Sequence, residues 1–374
     1  MRHHLPLALA LAAPILLAQT PDTGPADAAP TTTTITLGSQ RFGASADELG
    51  PIGGGPGYQR IGRIGRDGVH TARNLEQLLA ALAAAKAGET VHLPGDVEID
   101  CTGPVHIDRL VLEVPAGVTL ASDRGANGSP GALLRSDTLA TQPLLRTLGP
   151  GVRITGLRLQ GPDRERRLEH WQRAYRGGRG KPYYYQLPVA DGVLSTHGNL
   201  EVDNCELSGW SHAAVLLQDG TGHRIHHCHV HHCQRQGLGY GVCLDVAEAR
   251  IDHNLFDWNR HSIAATGRPG TGYEAHDNVE LGVSLSHCFD MHGGRDRKDG
   301  TDIAGSWFRI HHNTFLGDAR AIAIRGVPER ESRIEGNWFQ RQADAEHAVR
   351  GGGETTQIGA NAYGREQPDV SDGR

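Results

Sequence analysis

Apolar and polar positions change rhythm several times along the 374 residues of the chain. Residues 5–17 are almost wholly apolar behind a short polar start (Arg2, His3, His4), and Ala18 precedes Gln19. That run is too short to span a bilayer comfortably, and its layout predicts a signal peptide over residues 1–18. Residues 19–66 are rich in Thr, Pro, Gly and Ala with little periodicity, which predicts a linker or loose wrap. Beyond Thr71 the pattern becomes ordered. Leu75, Leu78, Leu79 and Leu82 recur at helical spacing until Gly88 stops the helix, and residues 90–99 then alternate as a strand does. A short amphipathic helix followed by strands suits the end of a solenoid, whose first coil would otherwise expose its core.

The rest of the chain repeats. Segments 152–159, 200–207, 223–230, 249–256, 273–280, 308–315 and 332–339 share one pattern, an inward aliphatic, a turn residue and a second inward residue. The turn column contains Leu157, Cys205, Cys228, Asn254, Asn278, Asn313 and Asn337, mostly 23 to 26 residues apart. Asn tolerates the left-handed backbone of a tight turn, and amides stacked about 4.8 Å apart can form a ladder. β-Propeller blades are the rival architecture, but they repeat at about 40 residues or more. The pattern therefore predicts an all-β fold over residues 67–362, a single-stranded right-handed parallel β-helix with a short N-terminal capping helix. Residues 363–374 are expected to form a flexible tail. A solenoid also accommodates a chain longer than one compact core allows.

Composition supports this and narrows the function. Fifty glycines against 6 phenylalanines and 2 methionines suit many tight turns around a narrow aliphatic core. The net charge of -6 provides no basic footprint for nucleic acid. No later stretch could span a membrane. A soluble, monomeric protein in the periplasm or the medium is expected. Six cysteines in an exported chain permit disulfides without specifying them; Cys205 and Cys228, one coil apart, lie within range. The dense tract 226–233 resembles a zinc site, but its His and Cys fall in repeat columns and are expected to be solenoid turns, so any metal remains unknown.

Two intervals are long. Residues 163–185 and 293–302 are rich in Arg and Lys, the first also in aromatics, and they should overhang one lateral face. A plain solvated loop is the alternative for each. A second repeat, in segments 211–217, 239–245, 260–266, 286–292 and 319–325, places Val242, Ile263, Phe289 and Ile322 inward. The alternate positions then face out, as His212, Tyr240, His261, His287 and Arg320 in one row. A parallel row holds Leu217, Asp245, Thr266, His292 and Arg325, with Asp290 between the two. Arg260, Arg268, Tyr273 and Lys298 lie on or follow these coils, beside glycines that permit close substrate approach.

Such a face could hold an extended polymer. β-Elimination of an acidic polysaccharide needs a cation for the uronate carboxylate, a base for the neighbouring proton and an acid for the leaving oxygen. Lysine is scarce, with only Lys86, Lys181 and Lys298, so His and Tyr are the expected proton carriers. Tyr240, His261, His287 and Arg320 are the catalytic candidates. His212, Asp245, Arg260, Arg268, Tyr273, Asp290, His292, Lys298 and Arg325 are the substrate-binding ones. Glycoside hydrolysis would instead need two flanking carboxyl groups, for which Asp245 and Asp290 are available.

The segment 74–99, with Gly88-Glu-Thr-Val-His-Leu-Pro-Gly95, resembles the opening cap and first strand of pectate-lyase-like β-helix proteins, and the later coils resemble that superfamily in repeat form. The resemblance spans roughly residues 70–345. It implies a polysaccharide-active protein, with Ca²⁺ as a possible cofactor because many relatives hold it with acidic residues. No matching acidic cluster is present, and nothing in the sequence requires a cofactor. The expectation is an exported lyase of a uronate-containing poly- or oligosaccharide. A hydrolase of the same fold, a carbohydrate-binding β-helix without activity and an epimerase remain as alternatives.

Overall fold

A computed structural model describes residues 32–61 and 68–364; the signal peptide expected over residues 1–18 and most of the expected tail lie outside these. Three parallel sheets run the length of the solenoid, with 11, 10 and 9 strands among the described residues, here called A, B and C. Each coil between the two ends contributes one strand to each sheet in that order, as in Glu201–Asp203, Glu206–Ser208 and Ala213–Leu217. Every strand then pairs in parallel with its counterpart one coil away.

The helix Leu75–Ala84 closes the N-terminal end. Asn74 caps it by accepting from the Gln77 amide, and Leu78, Ala81 and Leu82 face the first coil. A second short helix, Thr102–Asp108, was not evident from periodicity.

The interior is aliphatic near the N-terminus and aromatic further on. Sheet C contributes Val215, Val242, Ile263, Phe289 and Ile322, paired across successive coils. In sheet B, Phe315 stacks on Phe339 at 5.1 Å and Phe339 on Tyr363 at 5.4 Å. Tyr363 thus belongs to the last strand, one residue past the expected boundary. Each such side chain contributes about 1.5–3 kcal/mol when buried.

The predicted amide ladder is present. Asn254 donates its Nδ2 to Asn278 (3.0 Å), Asn278 to Asn313 (2.9 Å), Asn313 to Asn337 (3.0 Å) and Asn337 to Asn361 (3.0 Å). The left-handed residue, however, is the one before each Asn: His253, Asp277 and His312 have φ of 54°, 51° and 53°. The side chain at the ladder position thus points inward, and its αL neighbour turns the chain between sheets A and B. Cys205 and Cys228 occupy the same buried column as free thiols, as are the other four cysteines.

Residues 32–61 form an ordered strap. A hairpin of Thr34–Leu37 and Gln40–Gly43 packs Phe42 on Trp338 at the C-terminal coils. The chain then runs back along the turns between sheets A and B. Gly53 donates to the His253 carbonyl (2.9 Å), Gly55 to Asn204 Oδ1 (2.8 Å) and the Tyr58 hydroxyl to Asp203 (2.6 Å). At Gly54 (φ 64°) a Cβ would lie 2.4 Å from the His227 carbonyl, so only glycine permits this approach.

Candidate active site

The outer face of sheet C is bordered on both edges by the long insertions. Next to sheet B, residues 163–187 form helices Leu168–Tyr175 and Gly180–Tyr184. They are held to the coils by the Arg235–Asp163 ion pair, by Gln236 N to the Arg166 carbonyl (2.8 Å) and by the Tyr184 hydroxyl on the Gln236 carbonyl. Next to sheet A, residues 293–302 are anchored by Arg297, which donates to the carbonyls of Thr266 (2.8 Å) and Ile303 (3.0 Å). Between these borders lies a polar cluster.

Its hub is Asp290, on the outward side of Phe289–Met291 and yet fully buried. His287 Nε2 lies 2.9 Å from one carboxylate oxygen and His292 Nε2 2.9 Å from the other. Arg325 grips the same carboxylate with Nε (2.8 Å) and Nη2, and its Nη1 reaches Asp296 at 3.4 Å. His261 Nε2 stands 3.6 Å away, too far for a hydrogen bond, while its Nδ1 bonds the His287 carbonyl at 2.5 Å. Burial opposes the charge on Asp290, but the hydrogen bonds of His287 and His292 outweigh it and hold the carboxyl well below its ordinary range. Burial and the adjacent Arg260 guanidinium push the His261 pKa well down, so its ring is neutral.

A second group adjoins the first. His212 Nδ1 lies 2.7 Å from Asp191 Oδ1, the Ala213 amide donates to the same oxygen (3.1 Å), and the His212 ring meets Tyr240 edge-on at 5.7 Å. Tyr240 stacks on His261 with a centroid distance of 5.8 Å, and His261 meets His287 at 4.2 Å. The continuous row is Asp191-linked His212, Tyr240, His261, His287. Burial raises the Tyr240 pKa, so the phenol keeps its proton. Arg260 donates to the Leu238 carbonyl (3.3 Å) and forms no ion pair with a carboxylate among the described residues, so its charge remains available.

Several expected residues stand elsewhere. Tyr273 is not a substrate contact: it lies in the sheet A strand Gly272–His276, fully buried and stacked on Phe308 at 6.4 Å. Its column, with Ala249 and Phe308, faces inward, which the repeat alignment could have shown. Arg320 follows His287 in register but turns away, donating to the carbonyls of Glu346 (2.6 Å) and Val349 (3.3 Å). It therefore does not join the cluster as a catalytic group. Leu217 pairs with Leu244 inside the core, so Gln218, not Leu217, precedes Asp245 in the outer row. Likewise Ala213, not His212, pairs with Tyr240, and His212 reaches the row through its side chain. Asp245 accepts from Thr266 (2.7 Å) and pairs with the exposed Arg268 (3.3 Å). Lys298 is exposed, in left-handed conformation after the helix Gly294–Arg297. Asp191 and Asp296 were missed. The signal for Asp191 was available, because residues 191–195 form the strand one coil before Ala213–Leu217.

A family model described as the right-handed β-helix region matches residues 191–362. The protein is a right-handed parallel β-helix. No curated protein matches the β-helix in sequence. Among solved structures, an alginate lyase from Paenibacillus sp. str. FPU-7 aligns with a TM-score of 0.43 at 14% identity, covering 79% of this chain and 97% of that one. A family 28 exopolygalacturonase from Yersinia enterocolitica gives a TM-score of 0.43 at 12% identity, covering 78% of this chain and 64% of that one. No helix among the described residues is long and apolar enough to cross a membrane.

Calcium, implied by the superfamily resemblance, does not fit the clusters of the β-helix. Ca²⁺ takes six to eight oxygen ligands. The side-chain groups close enough to share an ion among the described residues are Asp47 with His227 and His253, His261 with His287 and Asp290, and Glu201 with Asp203 and His226. Each includes imidazole, and the second has Arg325 already seated on its carboxylate.

Proposed function

We propose that this β-helix is a polysaccharide lyase that cleaves a uronate-containing polymer by β-elimination on the outer face of sheet C. The observation that carries this reading is the Asp191–His212 pair set edge-on to Tyr240, beside Arg260, which has no anionic partner among the described residues. Asp191 accepts a hydrogen bond from Nδ1–H of His212, which leaves Nε2 as the basic atom on a side chain 25% exposed. His212 then removes the proton on the carbon next to the uronate carboxyl group. The electron pair forms the new carbon–carbon double bond as the glycosidic C–O bond breaks. Tyr240, neutral by burial, donates its proton to the leaving oxygen, and Arg260 balances the charge that develops on the carboxylate. His287, His292 and Arg325, locked on Asp290, extend the polar face along the next coils and would orient neighbouring sugars. Residues 1–18 would direct export to the periplasm or medium.

The test is incubation of pure protein with alginate, pectate and glycosaminoglycans while the ultraviolet absorbance of the unsaturated uronate product is followed. Rising absorbance with at least one polymer is the expected result. New reducing ends without absorbance would assign a hydrolase instead, and no turnover across the panel would refute the lyase.

A further inference from the structure

The strap crosses the turns between sheets A and B at a point where two imidazoles and a carboxylate converge. His227 and His253, on successive coils, stack nearly parallel with centroids 4.8 Å apart and an interplanar angle of 5°. Asp47, from the strap, places Oδ1 3.1 Å from His227 Nε2 and Oδ2 3.8 Å from His253 Nε2. The three ligand atoms lie within 4.8 Å of one another. Ligands about 2.0–2.1 Å from a tetrahedral zinc ion stand about 3.4 Å apart, between the two measured separations.

The groups behind the imidazoles aim them at this point. His253 directs Nδ1 to Asp252 (2.9 Å), and Asp252 is itself fixed by Arg224 through Nε (2.9 Å) and Nη2 (2.7 Å). His227 directs Nδ1 to His226 Nδ1 (2.9 Å), whose Nε2 lies 3.0 Å from Glu201. Both rings therefore use Nδ1 on a partner and present Nε2 to the same carboxylate, the arrangement that orients histidine ligands in metal sites. One proton on His227 satisfies its contact with Asp47. The His253–Asp47 separation is too long for a hydrogen bond, so those two groups face each other with nothing bonded between them.

The neighbouring clusters already hold cations. Asp203 carries Arg153, Glu201 carries Arg60, and Asp290 carries Arg325. Among the described residues Asp47 forms no ion pair with Arg or Lys, and its side chain is 21% exposed, leaving a path for an ion and room for water. We infer that Asp47, His227 and His253 form a site for a zinc-class transition ion that clamps the N-terminal strap to the solenoid. Two imidazoles and one carboxylate favour such an ion over Ca²⁺ or Mg²⁺.

The experiment is metal analysis of chelator-stripped protein reloaded with Zn²⁺ and dialysed, alongside thermal melts with Zn²⁺ or EDTA. Wild type should retain one equivalent and melt about 4 °C higher with zinc near 100-fold its dissociation constant. Asp47→Ala and His253→Ala should retain less than about a tenth as much and lose the zinc-dependent rise, whereas His287→Ala should keep both. Failure of wild type to retain zinc would overturn the inference. So would full retention by Asp47→Ala or His253→Ala, or loss of zinc from His287→Ala alone. EDTA on wild type keeps the test decisive if a variant misfolds.

Discussion

Glu280 is a carboxyl group in an aromatic column, paired in sheet B between Phe256 and Phe315. It is 1% exposed and neither oxygen finds a well-formed hydrogen bond. Burial, reinforced by the Asp257 carboxylate and opposed by Ser262, pushes its pKa from 4.5 up to about 8. Between those values the folded protein binds a proton that the unfolded chain has released, so stability must fall as pH rises through this window. At about 1.4 kcal/mol per pH unit, the gap amounts to about 5 kcal/mol above pH 8. Glu280→Gln keeps the shape and removes the titration. The variant should match wild type within about 1 kcal/mol near pH 4.5 and gain progressively to about 5 kcal/mol by pH 9, a difference on the order of 10 °C in Tm. Melts of both proteins from pH 4.5 to 9, followed by circular dichroism, measure it. Infrared spectra should show a protonated carboxyl band at pH 7 in wild type that the variant lacks. A Tm difference that stays constant across this range would refute the reasoning.

Asn313→Ala should cost about 3 kcal/mol, read from the urea midpoint, because it removes donors to Ala275 and Asn337 and the acceptor for Asn278. Asp290→Asn should destabilise by about 3–5 kcal/mol at pH 7 by leaving Arg325 with only its longer contact to Asp296. Because the Asp290 pKa is depressed, that contribution is complete above the ordinary carboxyl range and is lost on acidification, so melts of the two proteins should converge as pH falls below about 4. Asp191→Asn should leave the fold intact but lower kcat on a responsive uronate polymer by on the order of 10²–10⁴, since His212 loses the group that sets its tautomer. Arg260→Ala should weaken binding of that polymer much more than binding of an uncleavable carboxyl-reduced form of it, measured by isothermal titration calorimetry.

The coil repeat, the interior column and the Asn ladder were legible in the sequence for one physical reason. Each coil buries its face only against its neighbours, so the three-dimensional contact recurs as a one-dimensional period. The same regularity located the polar face with His212, Tyr240, His261, His287, Asp290, His292 and Arg325. It did not resolve single-residue register or side-chain direction. Ala213, not His212, pairs with Tyr240, and Arg320, in register with His287, bends to carbonyls of the following coil. Tyr273 was misjudged because the glycines beside it suggested close substrate approach, although its repeat position was already an inward one.

What lies outside the repeat was decided by tertiary structure alone. Residues 32–61 have no periodicity, and their course along the solenoid depends on contacts such as Asp47 with His227, 180 residues apart. The histidines of 226–233 looked like repeat grammar because their columns are those of ordinary turns. Only the folded strap brings Asp47 to His227. Local pattern thus sets the coil and its inward face, because period and burial act between neighbours along the chain. The pairing of Asp191 with His212, the saturation of Asp290 and the convergence at Asp47 required the coils to be stacked in register and the strap laid across them.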